Sequence, residues 1–152
     1  MSFDLRELYQ DVILDHGKRP RNSRAIEAPS HRAEGYNPLC GDRMELFLQV
    51  EDGIITDAAF TGLGCAISTA SASMMTEVLK GKTREAALGL FASFHRRVTG
   101  EGDETAGAPA GLGKLEVLSG VREFPTRVKC ATLAWHTLKA ALDKECEIVT
   151  TE

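Results

Sequence analysis

A cysteine and an aspartate stand two residues apart in the segment N-P-L-C-G-D, residues 37–42. Pro38 fixes one φ angle, and Gly41 can adopt a conformation closed to other residues. A tight turn is therefore expected to hold Cys40 and Asp42 at fixed, outward-facing angles just before a strand. A thiol and a carboxylate in such a turn can bind a metal or take part in thiol chemistry.

Two further cysteines occur in similar settings. Cys65 follows Gly-Leu-Gly and opens a helical pattern, and Cys130 follows Phe-Pro near the start of another. A helix N-terminus stabilises a thiolate, which is the form of cysteine that attacks sulfur or binds metal. Cys65 and Cys130, together with Cys40 and Asp42, are therefore the candidate site.

The donor set leaves several kinds of chemistry open. Three thiolates and one carboxylate suit tetrahedral zinc, although aspartate is an uncommon ligand in closed structural zinc sites. Thiolates equally suit iron-sulfur clusters, and a single cysteine at a helix start is often only a small buried residue. The chain contains no C-x-x-C pair, so the usual zinc-finger spacing is absent. Cys146 lies in the charged segment Asp-Lys-Glu-Cys and is not counted among the site residues.

Length and composition narrow the class of protein. The chain has 152 residues, 43% of them hydrophobic and 26% charged, with a net charge of -4. This predicts a single domain spanning residues 1–152, with no nucleic acid as partner. The charged N-terminal residues do not fit a signal peptide, and no apolar run is long enough to span a membrane. We therefore expect a cytoplasmic protein, where cysteines serve as ligands or reactive thiols more often than as disulfides.

The N-terminal third predicts one helix and one extended segment. Apolar residues recur with helical spacing over residues 4–16, Gly17 is a helix stop signal, and His16 is expected to interact with the negative end of this helix. Residues 18–33 are basic and contain proline, which predicts a surface segment leading into a strand near residues 31–36. Its cations could face a partner or only solvent.

A β-hairpin follows the Asn-Pro turn. Apolar residues alternate with other side chains over 44–50 and again over 54–61, and Asp52-Gly53 between the two runs is a strong hairpin signal. Cys40 lies shortly before the first strand, and Cys65 lies shortly after the second. Because the strands of a hairpin are antiparallel, both cysteines are expected at the same end of the sheet.

The remaining chain predicts mostly helices. One begins at Cys65 and ends at Gly81, and a second is capped by Thr83. A final long helix contains Cys130, which is expected in its first turn. The other segments are a loop or insertion at 99–111, a short helix around 112–118 and a flexible tail at 147–152.

Three ordered motifs resemble a known family. The motifs are N-P-L-C-G-D (37–42), G-L-G-C-A-I-S-T-A-S-A-S (62–73) and R-V-K-C-A-T-L-A-W (127–135). They resemble the family of IscU and of the NifU N-terminal domain, which are iron-sulfur cluster assembly proteins, and are most similar to its SufU branch. The resemblance implies an α+β fold with a small antiparallel sheet of about three strands, several helices packed on it and a metal site at one end. The implied ligands are Cys40, Asp42, Cys65 and Cys130.

Two features indicate the SufU branch. Lys129 stands where scaffold-type members have a histidine before the third cysteine, and the spacer between Cys65 and Cys130 is long. The resemblance implies a zinc-bound sulfur acceptor that takes persulfide sulfur on Cys40 from a PLP-dependent, SufS-like cysteine desulfurase and serves downstream cluster-assembly proteins. Arg127, one helical turn before Cys130, could orient Asp42 or the persulfide, or could be only a surface cation. The alternatives are a scaffold on which an iron-sulfur cluster is assembled, at least transiently, and a purely structural zinc protein.

Overall fold

The computed structural model describes residues 5–38, 41–99, 118, 125–143 and 148–150. Its elements in chain order are α1 (Leu5–Lys18), β1 (His31–Asn37), β2 (Asp42–Glu51), β3 (Ile54–Leu63), α2 (Ala66–Leu79), α3 (Arg84–Thr99), α4 (Pro125–Leu142) and β4 (Ile148–Thr150). None of the described helices is long and apolar enough to cross a membrane.

The predicted hairpin is confirmed. β2 and β3 pair antiparallel from Arg43↔Leu63 at the open end to Glu51↔Ile54 at the turn. Asp52 and Gly53 have φ angles of 53° and 77°, the left-handed conformations that a two-residue hairpin turn requires. The open end of the hairpin is therefore where the chain enters β2 and leaves β3.

The sheet has the order β3-β2-β1-β4. β1 pairs antiparallel with β2, so the three longer strands form the predicted antiparallel sheet. The short strand β4 pairs parallel with β1 over Glu34↔Ile148 to Tyr36↔Thr150. The expectation of a flexible tail is therefore wrong for residues 148–150. A strand of three residues is too short to show an alternation of apolar and polar side chains, and its backbone pairing depends on β1.

One face of the sheet carries the helices. Along β1, Ala33, Gly35 and Asn37 are buried against them, while Arg32 and Glu34 alternate onto the other face. There Arg32 forms ion pairs with both Glu34 and Glu45. The predicted α+β fold, with helices packed on a small sheet, is confirmed.

The centre of the core is the contact between α2 and α4. Trp135 is fully buried and stacks on Phe94 of α3 with ring centroids 4.7 Å apart. Its indole Nε1 donates a hydrogen bond of 3.1 Å to Ser71 Oγ, which donates in turn to the Ala131 carbonyl at 2.6 Å. Met74 of α2 is also buried in this core. The hydroxyl bonds to Trp135 and Ala131 fix the register of α4 on α2.

Helix α1 differs from the prediction at its C-terminal end. Gly17 lies inside the helix, where a Cβ atom would be 3.4 Å from Ala66, so this glycine permits close packing on α2 and does not stop the helix. His16 is only 1% exposed and is not a surface cap. Its Nδ1 atom is 2.7 Å from Ser73 Oγ, and its Nε2 atom is 3.6 Å from the Glu77 carboxylate.

The basic segment after α1 is held to the protein by its own contacts. Arg21 and Arg24 form ion pairs of 2.7 Å with Asp15 and Asp57. The backbone N–H of Arg21 donates to Ser73 Oγ at 2.8 Å. These two cations are therefore engaged within the chain, which favours the interpretation of the segment as a solvated surface.

The last two long helices begin as their sequences indicate, with one correction. Thr83 Oγ1 accepts a hydrogen bond of 3.1 Å from Ala86 N and caps α3 as predicted. α4 begins at Pro125, so Cys130 lies in its second turn and not in its first. Residues 100–111 of the predicted insertion lie outside the described residues, as does the predicted short helix except for Leu118, which is buried.

We predict that Gly35→Ala destabilises the fold. An added Cβ would overlap Thr137 Oγ1 and come within 3.1 Å of Leu133 Cδ1, which would push α4 away from the sheet. Overpacking of this kind costs about 1–3 kcal/mol. Thermal unfolding should show a lower Tm. Gly89→Ala is the matched control, because Gly89 is an exposed helical position with nothing near the added atom, and it should raise the Tm slightly. Equal Tm values for the two variants would contradict this packing.

Candidate metal centre

Three elements bring two sulfurs and a carboxylate together at the open end of the hairpin. Asp42 is the first residue of β2, Cys65 precedes α2, and Cys130 lies in α4. Their ligand atoms all lie within 4.8 Å of one another. Asp42 and Cys130 are each only 2% exposed, whereas Cys65 is partly exposed. The group therefore has a buried side and one side open to solvent.

The Asp42 carboxylate has a fixed orientation. Its Oδ1 atom accepts a hydrogen bond of 2.8 Å from the backbone N–H of Cys65. Its Oδ2 atom lies 3.4 Å from Asn37 Nδ2 and 3.9 Å from Cys65 Sγ. One oxygen is thus tied to the start of α2, and the other faces the sulfurs as a single donor atom.

Cys65 is the N-cap residue of α2, and its sulfur accepts a hydrogen bond from the backbone N–H of Ser68 at 3.4 Å. The pKa of the Cys65 thiol is lowered to about 6, chiefly by a hydrogen bond from the Cys130 thiol and further by the Ser68 backbone and hydroxyl. Partial burial and the Asp42 charge oppose this lowering of the pKa. The Cys65 thiol therefore loses its proton more easily than an ordinary cysteine, and metal binding requires the thiolate.

Two glycines make room for this arrangement. A Cβ atom on Gly64 would overlap Ser68 Oγ and lie 3.3 Å from Asp42 Oδ1. Gly62 has a φ of 141°, and a Cβ there would overlap the backbone of Arg43 and Met44. The Gly-Leu-Gly sequence before Cys65 thus lets β3 pass close to the start of β2.

The donor set fits zinc. A zinc–sulfur bond of about 2.3 Å in tetrahedral geometry separates two sulfur ligands by about 3.8 Å. The observed separations of up to 4.8 Å need only a small contraction to reach this value. Two thiolates and one carboxylate oxygen would leave one tetrahedral position for a fourth ligand. The same donors suit an iron-sulfur cluster, so the ligand set is compatible with both.

The other residues predicted for the site have different positions. Cys40 and Cys146 lie outside the described residues. Arg127 is exposed in the first turn of α4, one turn before Cys130, and Lys129 is partly buried beside Cys130. The structure therefore brings together Asp42, Cys65 and Cys130, while roles for Cys40 and Arg127 stay predictions.

Sequence reasoning missed three residues that support these ligands. Asn37 is fully buried, and its Nδ2 atom lies 3.6 Å from Cys130 Sγ. Ser68 contacts the Cys65 sulfur, and Ser71 anchors α4 at Ala131. Asn37 begins the N-P-L-C-G-D motif, which the sequence assigns to a turn after a strand near residues 31–36. The two-residue period that puts Asn37 on the buried face is visible only because β1 extends to Asn37.

Comparison with known proteins identifies the family. The family model of the NifU-like N-terminal domain matches residues 8–150, and the chain belongs to this family. A relative from Bacillus subtilis, the zinc-dependent sulfurtransferase SufU, is 45% identical over 148 residues, covering 95% of this chain and 97% of the relative. The iron-sulfur cluster assembly scaffold protein IscU of Streptococcus pyogenes is 42% identical over 140 residues, covering 92% of this chain and 86% of the relative.

A solved structure agrees with this assignment. The protein FiSufU from Fervidobacterium islandicum, described as an iron-sulfur cluster assembly scaffold protein for the SUF system, superimposes with a TM-score of 0.80 at 35% identity. The superposition covers 91% of this chain and 99% of the other. The resemblance inferred from the three cysteine motifs is confirmed.

We predict that Gly64→Ala weakens zinc binding. The added methyl group would displace Ser68 and press on Asp42, which disturbs one ligand and the support of another. Competition with a chromogenic chelator should show a lower zinc affinity than for the wild type. The double variant Gly64→Ala, Ser68→Ala removes the overlap with the hydroxyl and should recover part of the loss. Unchanged zinc affinity in the single variant would show that the site tolerates this displacement.

Proposed function

We propose that this protein is a zinc-dependent sulfur acceptor in iron-sulfur cluster assembly. It takes persulfide sulfur from a SufS-like, PLP-dependent cysteine desulfurase and passes it to downstream cluster-assembly proteins. The observation that carries the proposal is the convergence of Asp42, Cys65 and Cys130 within 4.8 Å. The 45% identity to a zinc-dependent sulfurtransferase over nearly the whole chain supports it.

The proposed ligands are Asp42, Cys65, Cys130 and Cys40. Zinc bound by these residues would keep the thiols deprotonated at neutral pH. The protein contributes the fixed carboxylate of Asp42 and a Cys65 thiol whose pKa is already lowered to about 6. Asp42 and Cys130 are buried, so water has little access to that side of the site.

Cys40 is the proposed acceptor of sulfur. Its thiolate attacks the terminal sulfur of the desulfurase persulfide, and a new S–S bond forms at Cys40 as the S–S bond of the desulfurase breaks. The electron pair of the broken bond leaves with the desulfurase cysteine as a thiolate. The terminal sulfur keeps its own proton or charge, so the step needs no added oxidant or reductant. Its rate depends on the thiolate fraction and on access to the attacking sulfur.

Arg127 is the residue proposed to bind the incoming persulfide. It is exposed on α4, one helical turn before Cys130. A guanidinium there can hydrogen-bond an anionic persulfide. We place the protein in the cytoplasm, because free thiols and persulfides persist in a reducing compartment.

The second candidate function is a scaffold that assembles an iron-sulfur cluster on the same ligands. The 42% identity to a scaffold protein favours it, and thiolates suit such clusters. Lys129 favours sulfur transfer, because the family resemblance implies a histidine at this position in scaffold-type members. Metal analysis and the absorption spectrum of aerobically purified protein separate the two functions. One zinc per chain without visible absorbance supports sulfur transfer, and a brown protein supports the scaffold.

We predict that removing zinc lowers the stability of the protein. A site formed only in the folded chain transfers its binding free energy to folding, by about 3 kcal/mol when zinc is present at a hundred times its Kd. For a chain of this size the Tm should fall by about 5–10 °C after treatment with a strong chelator. The apo protein should remain folded because its core lies between α2 and α4. A melting curve that does not change after verified zinc removal would contradict the proposed site.

We predict that Cys40→Ser abolishes sulfur acceptance. In a single-turnover reaction with persulfide-loaded desulfurase, wild-type protein should gain the mass of one sulfur atom, and Cys40→Ser should gain none. Cys65→Ser and Cys130→Ser should lose zinc and transfer poorly. Cys146→Ser is the matched control and should keep both zinc and transfer. Loss of transfer from Cys146→Ser, with zinc retained, would show that Cys146 is the acceptor.

A further inference from the structure

Asn37 contacts two of the three converging ligands with one amide nitrogen. It is the last residue of β1, is paired with Asp42 across the sheet and is fully buried. Its Nδ2 atom lies 3.4 Å from Asp42 Oδ2 and 3.6 Å from Cys130 Sγ. The side-chain amide has two N–H bonds, one for each acceptor.

The chemistry of the neighbours determines which end of the amide faces them. Asp42 Oδ2 is a carboxylate oxygen and can only accept a hydrogen bond when ionised. Reversing the amide would place its carbonyl oxygen against this carboxylate in a buried setting, where the two acceptors would repel each other. The N–H₂ group of Asn37 therefore faces both Asp42 and Cys130.

The described sulfurs both receive hydrogen bonds from N–H donors. Cys65 Sγ accepts from the backbone N–H of Ser68 at 3.4 Å, and Cys130 Sγ accepts from Asn37. An N–H donor draws electron density from a thiolate, which stabilises the charged sulfur and makes it a weaker nucleophile. The donor to Cys65 belongs to the helix backbone, whereas the donor to Cys130 is a side chain that substitution can remove.

We propose that Asn37 is a positioning residue that holds Cys130 and Asp42 as retained ligands and suppresses the reactivity of Cys130. The inference rests on the sulfur-acceptor function proposed above. It explains why three thiols at one centre need not compete for the incoming sulfur. Cys130, bound by Asn37, stays a ligand, and transfer is confined to Cys40.

The test compares Asn37→Leu and Asn37→Ser with wild type. Leucine is close in size but donates no hydrogen bond, and serine is too short to reach both acceptors. The backbone of residue 37 keeps its bond with Gly41 N in either variant. Thr76→Val is the matched control, because it also removes two side-chain hydrogen bonds, from Thr76 Oγ1 to Ser73 O and from Asn22 Nδ2 to Thr76 Oγ1, but far along α2 from the ligands. Two Asn37 variants are used so that poor folding of one does not prevent the comparison.

Three measurements are made on folded, metal-loaded protein. Zinc affinity should fall by about 10–100-fold in the Asn37 variants, as is typical when a group supporting metal ligands is removed. With Co²⁺ in place of zinc, the sulfur-to-metal charge-transfer band should move to longer wavelength, because a thiolate without its hydrogen bond gives up electrons more easily. Limited alkylation followed by peptide mass analysis should show several-fold more modification of Cys130 relative to Cys40. Thr76→Val should match wild type in all three.

The outcomes separate this inference from the function on which it rests. Asn37 variants whose affinity, cobalt spectrum and alkylation pattern match Thr76→Val would overturn the role of Asn37. A lower zinc affinity with an unchanged alkylation ratio would overturn the suppression of Cys130 reactivity. Failure of wild-type protein to accept sulfur would overturn the proposed function, while the cobalt spectrum and zinc affinity would still test the contacts of Asn37.

Discussion

The Asp42 carboxylate is the point on which the arrangement of this end of the molecule depends. One of its oxygens accepts the backbone N–H of Cys65, and the other faces Asn37 and the sulfurs. A buried carboxylate is costly to leave without hydrogen bonds, so β2, the end of β1 and the start of α2 must meet where these donors can reach it. The close approach of β3 that Gly62 and Gly64 permit satisfies this constraint.

The parts of the site that follow from local pattern could be predicted from the sequence. The alternation on both sides of Asp52-Gly53 identified the hairpin, and antiparallel geometry then placed the start of β2 and the residue after β3 at one end. Cys40 lies outside the described residues, but Asp42, two residues after it, accepts a hydrogen bond from the backbone N–H of Cys65, 23 positions away. The turn residues and the alternation of side chains were sufficient to predict the hairpin, because both depend on residues that are close together in the sequence.

Contacts between distant helices could not be predicted in this way. Periodicity identified α4 but not its position on α2, which depends on Ser71 bridging Trp135 and Ala131. The position of Cys130 near a helix start makes it a candidate ligand, but only the family resemblance implies that it lies beside Asp42 and Cys65. The same limit explains why the sequence predicts an interaction of His16 with the end of its own helix, since its partner Ser73 lies 57 positions away. The pairing of β4 with β1 is likewise a long-range contact, and three residues are too few to predict it from the sequence.

The negative charges of the ligands explain why they need a shared proton and nearby hydrogen-bond donors. Two thiolates and a carboxylate within 4.8 Å would repel one another, and the Asp42 charge does raise the pKa of Cys65. The Cys130 thiol opposes this effect by donating its proton toward the Cys65 sulfur, and the Ser68 backbone adds a second donor. A divalent cation would replace the shared proton, so metal binding should release protons, as is general for thiolate sites. The N–H groups of Asn37 and Ser68 donate hydrogen bonds to the Cys130 and Cys65 sulfurs. These hydrogen bonds do not use the shared proton, so they support the two sulfurs whether that proton or a metal lies between them.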